Sequence, residues 1–409
     1  MTALFARRIW TLCTLWAIAS GLAWGQPEMP VPDPAAPLHE RITAWDALLH
    51  EYHYHDNIVQ TQVIFPPFGE DRPITGNHED VAGHTAALLA AYSHRYAVTR
   101  EPAHRAAADD LMQGILNLER VTGVPGCVAR SFYQTDRPLW HEQAYFFPNE
   151  WHDSKTMPGY RWEGDLSSDK FTDFFFAVGT YWEICADEEH KQLAADFLDR
   201  FVGRCVDFNF KLVDVDGKMT LWGNFCPDLP HENLNALEML AGLRTAYKVT
   251  GKDRYLAAYH MLIDRYHYDD QAILAKVLWP KEWTVPWDDS LAAQSYYMLM
   301  RFEDDPSLMQ KYRMSINRHY FAWKDYKFGY ASVPFYFMLY QVLTGEEAVD
   351  GSVLDAIKNM RGGHRTLRTF TKNTPDGPQQ VQSYEEEVSA DTILNYWFGR
   401  HYGFIDPAW

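Results

Sequence analysis

Asn235-Ala236-Leu237-Glu238-Met239-Leu240-Ala241-Gly242-Leu243-Arg244-Thr245-Ala246-Tyr247-Lys248-Val249, followed by Thr250-Gly251-Lys252-Asp253-Arg254-Tyr255-Leu256, is the stretch that decides the fold. Its first part is apolar around most of a helical circumference, as a helix buried on all sides should be. Gly251 then offers a left-handed residue for a helix C-cap, and Asp253 is the acid that favours the next helix N-terminus. The second part carries apolar residues only at helical spacing. The chain repeats this pairing. Inner-type segments are expected near 78–96, 168–184, 232–249, 289–302, 330–343 and 389–402, and outer-type amphipathic segments near 102–118, 189–202, 254–266, 306–319 and 347–360. The inner-to-outer links Thr99–Pro102, Ala186–Glu189, Glu303–Pro306 and Thr344–Glu347 are as short and acidic as the one at Thr250–Asp253. The sixth inner segment has no outer follower before Trp409. An earlier stretch, Leu38 to His50, with Leu38, Ile42, Trp45 and Leu49 on one stripe, is expected to pair with it and close a ring.

Two-helix repeats build either open solenoids or closed rings, and solenoids favour a constant period. Here the spacing is uneven and the excess falls in the outer-to-inner connections. In this alternation, the chain from about Leu38 to Trp409 resembles the six-hairpin superfamily of glycoside hydrolases, polysaccharide lyases and sugar epimerases. The resemblance implies an all-α fold, an (α/α)6 toroid whose long loops gather at the mouth formed by the inner-helix N-termini. Fold alone does not give the chemistry.

Arg7 and Arg8 precede the apolar run Ile9 to Trp24, and Ala23-Trp24-Gly25 places small residues where a signal peptidase needs them. The expected organisation is therefore a signal peptide over 1–25, a Pro-rich spacer over 26–37, and one toroid domain over 38–409. An exported, periplasmic or extracellular protein follows, with no membrane attachment once the leader is cleaved. Cys127, Cys185, Cys205 and Cys226 remain after cleavage, and in an oxidising compartment both disulfides and buried thiols are open to them. The formal net charge of -18 repels phosphate backbones and acidic polysaccharides, which argues against nucleic acid and mildly favours a neutral or cationic glycan.

Long loops in compact domains tend to be functional. The connections 120–167, 207–231, 268–288 and 361–388 carry an unusual density of aromatic residues, among them Trp140, Tyr145, Tyr160, Trp162, Trp222, Trp279, Trp283 and Trp287. Aromatic rings stack on the C–H faces of sugars, and they also pin loops to a core. The sharpest constellation is Arg161-Trp162-Glu163-Gly164-Asp165-Leu166-Ser167-Ser168-Asp169-Lys170-Phe171-Thr172-Asp173. Asp169 and Asp173 lie one turn apart on the helix that Ser167 or Ser168 starts, so both can face one cavity. First-turn acids are ordinary capping residues, whereas a second acid on an aromatic inner helix is costly without purpose. Glu232, Asp288 and Asp289 stand at two further helix starts, each after a proline. Asn77-His78-Glu79-Asp80 opens the first inner helix, and Tyr384-Glu385-Glu386-Glu387 precedes the last, a run expected to be a solvated face.

Hydrolysis of a glycosidic bond uses one carboxylic acid and one carboxylate. The resemblance implies an inverting pair drawn from different hairpins. Asp169 as base and Glu232 as acid are the leading pair, with Asp165, Asp173, Asp288 and Asp289 as replacements, and Asp165 beside Trp162 is another acid that aromatics would desolvate. His78, Tyr160, Trp162, Trp222, His231, Trp287 and Asp288 are the expected substrate-binding residues on an oligo- or polysaccharide. A lyase or epimerase would instead move a proton with His231 or Tyr160, with Asn233 and Arg161 neutralising a carboxylate, and a glycan-binding protein without chemistry would keep only the aromatics. No cofactor is expected. No metal site is expected either, because His78 and His84 are too far apart on their helix to share a face as zinc ligands do.

Overall fold

The computed structural model describes residues 32–33, 35–68, 73–76, 80–137, 139–140, 151–279, 286–324, 333–375 and 377–409. The expected signal peptide lies outside them. Thirteen helices are described: α1 Leu38–Leu48, α2 Val81–Thr99, α3 Pro102–Arg120, α4 Ser168–Ile184, α5 Glu188–Asp207, α6 Asn233–Thr250, α7 Asp253–Tyr266, α8 Tyr268–Ile273, α9 Pro286–Phe302, α10 Pro306–Trp323, α11 Val333–Thr344, α12 Gly351–Lys358 and α13 Ala390–His401. Helices α2, α4, α6, α9, α11 and α13 each touch the next, and α13 returns to α2. The ring is therefore closed. Outside it, α3, α5, α7, α10 and α12 each pack on the inner helix that precedes them or on its neighbour, and α1 packs on α13.

The turns follow from their residues. Gly251 adopts the left-handed conformation at the end of α6, Asp187 accepts from the His190 backbone N–H at the start of α5, and Asp305 caps α10 through Ser307 and Leu308. The seam between chain ends is tied by hydrogen bonds. The His39 backbone N–H donates to the Trp409 carbonyl at 2.7 Å, and the Arg41 guanidinium reaches the Met360 carbonyl at 3.0 Å. Aromatic packing joins the layers, as where Phe174 of α4 meets Phe197 and Phe201 of α5 at centroid separations of 5.9 and 5.5 Å.

The ring is not hollow. In its lower half α4 and α9 meet across the axis, where Phe176 packs edge-on against Tyr297 and a Cβ on Gly179 would lie 2.4 Å from the Met298 methyl. That glycine is what permits the crossing. Toward the mouth the cross-axis contact turns polar, since Gln294 of α9 donates to Asp173 Oδ1 of α4 at 3.1 Å.

Two features of the connections differ from the sequence expectation. The segment 361–388 forms a long antiparallel hairpin, Gly363–Thr374 with Gly377–Val388, whose second strand joins strands 62–64, 74–76 and 139–140 in a five-stranded sheet. The fold thus remains dominated by the helical ring, with sheet confined to the connections. Alternating Thr, Arg and Gln residues suit a half-solvated strand, whose period-two pattern carries little apolar signal. Glu385 and Glu386, expected on a solvated face, are buried in that sheet, Glu385 against Arg368 at 2.5 Å and Glu386 against Arg365 and His53. All four described cysteines are buried free thiols. None of the described helices is long and apolar enough to cross a membrane.

Candidate active site

Inner helices start at one end of the ring, so their first turns bring side chains from distant parts of the sequence to one mouth. Asp80 stands at the N-cap position of α2, Asp169 and Asp173 lie on α4, Glu232 stands at the N-cap position of α6, Asp288 opens α9 and Asp391 opens α13. At the centre stands Lys170, 5% exposed, with its ammonium 2.9 Å from Asp80 Oδ1 and 3.5 Å from Asp173 Oδ2. Burial opposes its charge, but the acids around it win and hold Lys170 protonated. Gly83 on α2 leaves the room: a Cβ there would come within 2.7 Å of both the Lys170 ammonium and the Asp173 carboxylate.

Burial and mutual repulsion sort the carboxyl groups. Asp288, partly buried, is pushed up to about 6, first by desolvation and then by the charges of Glu232 and Asp169. Asp391 is also raised to about 6, by burial and by Asp173. Asp173 is raised by burial against the opposing pull of Lys170 and Gln294. Glu238 is fully buried on α6 and raised well above the ordinary glutamate value, by desolvation and then by Asp169. Neither of its oxygens makes a well-formed hydrogen bond, and the Thr172 hydroxyl is the polar group that eases its burial. Asp169, partly buried, accepts a hydrogen bond from the Ser168 hydroxyl at 3.3 Å.

Of the sequence candidates, this mouth therefore brings together Asp169, Asp173, Glu232 and Asp288. Asp165 and Asp289 are engaged elsewhere. Asp165 has a left-handed backbone at φ 56°, its carbonyl accepts from Arg130 at 2.6 Å, and its Oδ1 accepts from the Leu221 backbone N–H at 2.7 Å, so it fixes the loop onto the 211–224 hairpin. Asp289 has no solvent exposure and lies 2.6 Å from the Lys276 ammonium and 2.9 Å from His319 Nδ1. Against the penalty of burial, those partners hold it below the usual carboxylate range.

The expected binding residues divide in the same way. Trp162 is 2% exposed and packed at a tilt against His152, so protein covers the faces a sugar would need. Tyr160 takes a hydrogen bond from Gln134 and donates to Asp56, Arg161 pairs with Asp153, and the His231 ring sits between the Leu229 carbonyl and Gln271. Trp222, by contrast, is 59% exposed on the hairpin that leads to the start of α6. His78 and the Trp287 side chain lie outside the described residues, as do Tyr145, Trp283 and the side chain of Trp140. Sequence reasoning missed Glu238, Lys170 and Asp391 as members of the site. The signal for Glu238 was available, an acid between Leu237 and Met239 in the most apolar stretch of α6.

Six inner helices closed by α13 on α2, with six outer helices around them, decide the class. The chain is a six-hairpin (α/α)6 toroid. No family model and no curated protein sequence matches it. Solved structures similar to this toroid include a sugar epimerase from a ruminal bacterium, at 11% identity over 90% of this chain and 98% of that one, with a TM-score of 0.49. A GH76 alpha-mannanase of Bacteroides thetaiotaomicron is similar at 10% identity, 91% and 98% coverage and a TM-score of 0.49. A thermostable endoglucanase from Alicyclobacillus acidocaldarius is similar at 13% identity, 78% of this chain and 66% of that one, with a TM-score of 0.43.

Proposed function

We propose that this toroid is an exported carbohydrate-active enzyme, a glycoside hydrolase that cleaves its glycan by an inverting mechanism with two carboxyl groups. The observation that carries the reading is the pairing of Asp169 with Asp288, which stand at the starts of different inner helices, the charge of Asp169 helping to raise Asp288. Asp288 holds a proton up to about pH 6 and suits the general acid that protonates the leaving oxygen. Asp169 suits the base that activates water on the opposite face of the sugar. Glu232, exposed at the helix cap, acts in this scheme by raising the proton affinity of Asp288 rather than by donating the proton itself. Trp222 offers an open ring for stacking at the rim. Export rests on Arg7-Arg8 and the apolar run to Trp24.

The engagement of Tyr160, Arg161 and His231 in contacts with protein supports the hydrolase over proton abstraction beside a uronate carboxylate. The test is incubation with neutral, amine-bearing and acidic glycans, following new reducing ends and the ultraviolet absorbance of unsaturated uronates in the same samples. Reducing ends without absorbance are expected, and Asp169→Asn and Asp288→Asn should each lower kcat by about a thousandfold or more while leaving Tm nearly unchanged. Absorbance rising with the reducing ends would mean a lyase and overturn the assignment.

A further inference from the structure

Acceptor oxygens outnumber donors among the hydrogen-bonding groups left over at the mouth floor. Both oxygens of Glu238, in a residue with no solvent exposure, lack partners, as does Oε1 of Gln294 in a residue 5% exposed. The orientation of the Gln294 amide is fixed, because its Nε2 donates to Asp173 Oδ1 and the carbonyl must therefore face away. Thr172, fully buried on α4, offers Glu238 a hydroxyl short of a well-formed hydrogen bond. Gln294 Oε1 can only accept, and Glu238, whose burial raises its proton affinity, keeps one oxygen free of hydrogen even when protonated. The group that complements these oxygens brings several donors and no acceptor, which describes an ammonium.

Charge points the same way. Asp80, Asp169, Asp173, Glu238, Asp288 and Asp391 converge on a mouth whose central cation, Lys170, is already engaged by Asp80 and Asp173. An arriving carboxylate or sulfate would add to this repulsion, and a neutral hydroxyl would leave it unrelieved. A metal ion is a poor match, since among the described residues no three His, Cys, Asp or Glu side chains are placed to hold one ion together. Asp169, Asp173 and Asp288 are partly exposed and Glu238 is closed off, so an entering group meets the three aspartates first and Glu238 last.

We propose that this floor binds the protonated amine of an amino sugar, and that the preferred substrate is a glycan carrying free amino groups rather than N-acetylated, neutral or acidic units. The inference rests on the hydrolase reading for its substrate and names the class that site takes. Only the sugar's ammonium is recognised. The bond cleaved and the water consumed are those of ordinary glycoside hydrolysis.

The experiment is calorimetric titration of the purified protein with four tetrasaccharides of glucosamine, N-acetylglucosamine, glucose and galacturonate, at about 0.05 M and about 0.5 M salt, with turnover followed on the same ligands. The glucosamine ligand should bind at least about tenfold more tightly than its N-acetylated counterpart at low salt, and the advantage should shrink at high salt. Glu238→Gln should remove most of that advantage, the glucosamine ligand losing more affinity than the glucose ligand. If that variant does not fold, the salt dependence of the unaltered protein still decides. Equal or weaker binding of the glucosamine ligand, or an advantage insensitive to salt, overturns the proposal. Cleavage of neutral glycans without amine preference sinks the amine site and leaves the hydrolase standing. Tight, salt-sensitive amine binding with no glycan cleaved supports the amine site and removes the hydrolase.

Discussion

Asp288 and Asp289 are adjacent in sequence, yet one faces the mouth and the other is locked into the wall, and Asp289→Asn tests that division. The parent carboxylate has no exposure, and its partners include the Lys276 ammonium at 2.6 Å and His319 Nδ1 at 2.9 Å, while the Lys276 side chain is itself 3% exposed. Removing the negative charge deprives a buried cation of its counter-charge, a change that costs about 3 to 5 kcal/mol in comparable buried pairs. The lower end applies here. The Asn carbonyl still accepts from Lys276, and neutral His319 can present Nδ1 as an acceptor to the new amide. A loss of about 3 kcal/mol is therefore expected, read from urea unfolding at pH 7 as a lower midpoint with unchanged slope. The pH dependence has a defined sign. Because the folded carboxyl is held below its unfolded value of about 3.9, its contribution is present above that pH and fades as the solution is acidified toward the folded pKa. Parent and variant should thus differ by a constant amount near neutrality and converge below about pH 4. A destabilisation under about 1 kcal/mol together with lost turnover would place Asp289 in the chemistry and refute the reasoning.

Three further outcomes follow from the geometry. Since Glu232 is the charge that most raises Asp288 after burial itself, Glu232→Gln should move the basic limb of the kcat/KM profile, expected near pH 6, to lower pH without abolishing turnover; an unmoved limb would break the link between the two residues. Gly179→Ala puts a methyl against Met298 and Thr245, and thermal unfolding should show a loss of about 1 to 3 kcal/mol, whereas an unchanged Tm would mean that the α4–α9 crossing relaxes freely. At the opposite end of the ring, His94 Nδ1 and His401 Nδ1 lie 2.7 Å apart, and burial lowers the proton affinity of both rings. Their stabilisation is present above the unfolded value of about 6.5 and is lost as pH falls, so Tm between pH 7 and 5 should decline less steeply in His94→Gln than in the parent.

The local rules were sufficient for the ring. Hydrophobic circumference, acidic or Pro-bearing starts and a Gly at a helix end act within a few residues, so the stretch through Asn235 and Leu256 announced its helix pair and the expected α4 bounds match the observed Ser168–Ile184. The pairing of α1 with α13 was also legible, since an unpartnered amphipathic stripe must bury itself on an unpartnered inner helix. Long hairpin 363–388 escaped because a half-solvated strand of Thr, Arg and Gln carries little apolar signal, and its register depends on strand 62–64 far away in sequence. What only the tertiary structure decided is the state of each acid. Successive residues on a helix point about 100° apart, so Asp288 looks into the mouth while Asp289 meets Lys276 and His319. Asp165, beside the α4 start, turns back to the Leu221 backbone, and Glu238 becomes a member of the site because Asp169 and Thr172 of α4 and Asp288 of α9 are brought near it. Sequence placed the carboxyl groups at helix starts; whether each keeps a free charge depends on burial and on partners contributed by other hairpins, which no local pattern encodes.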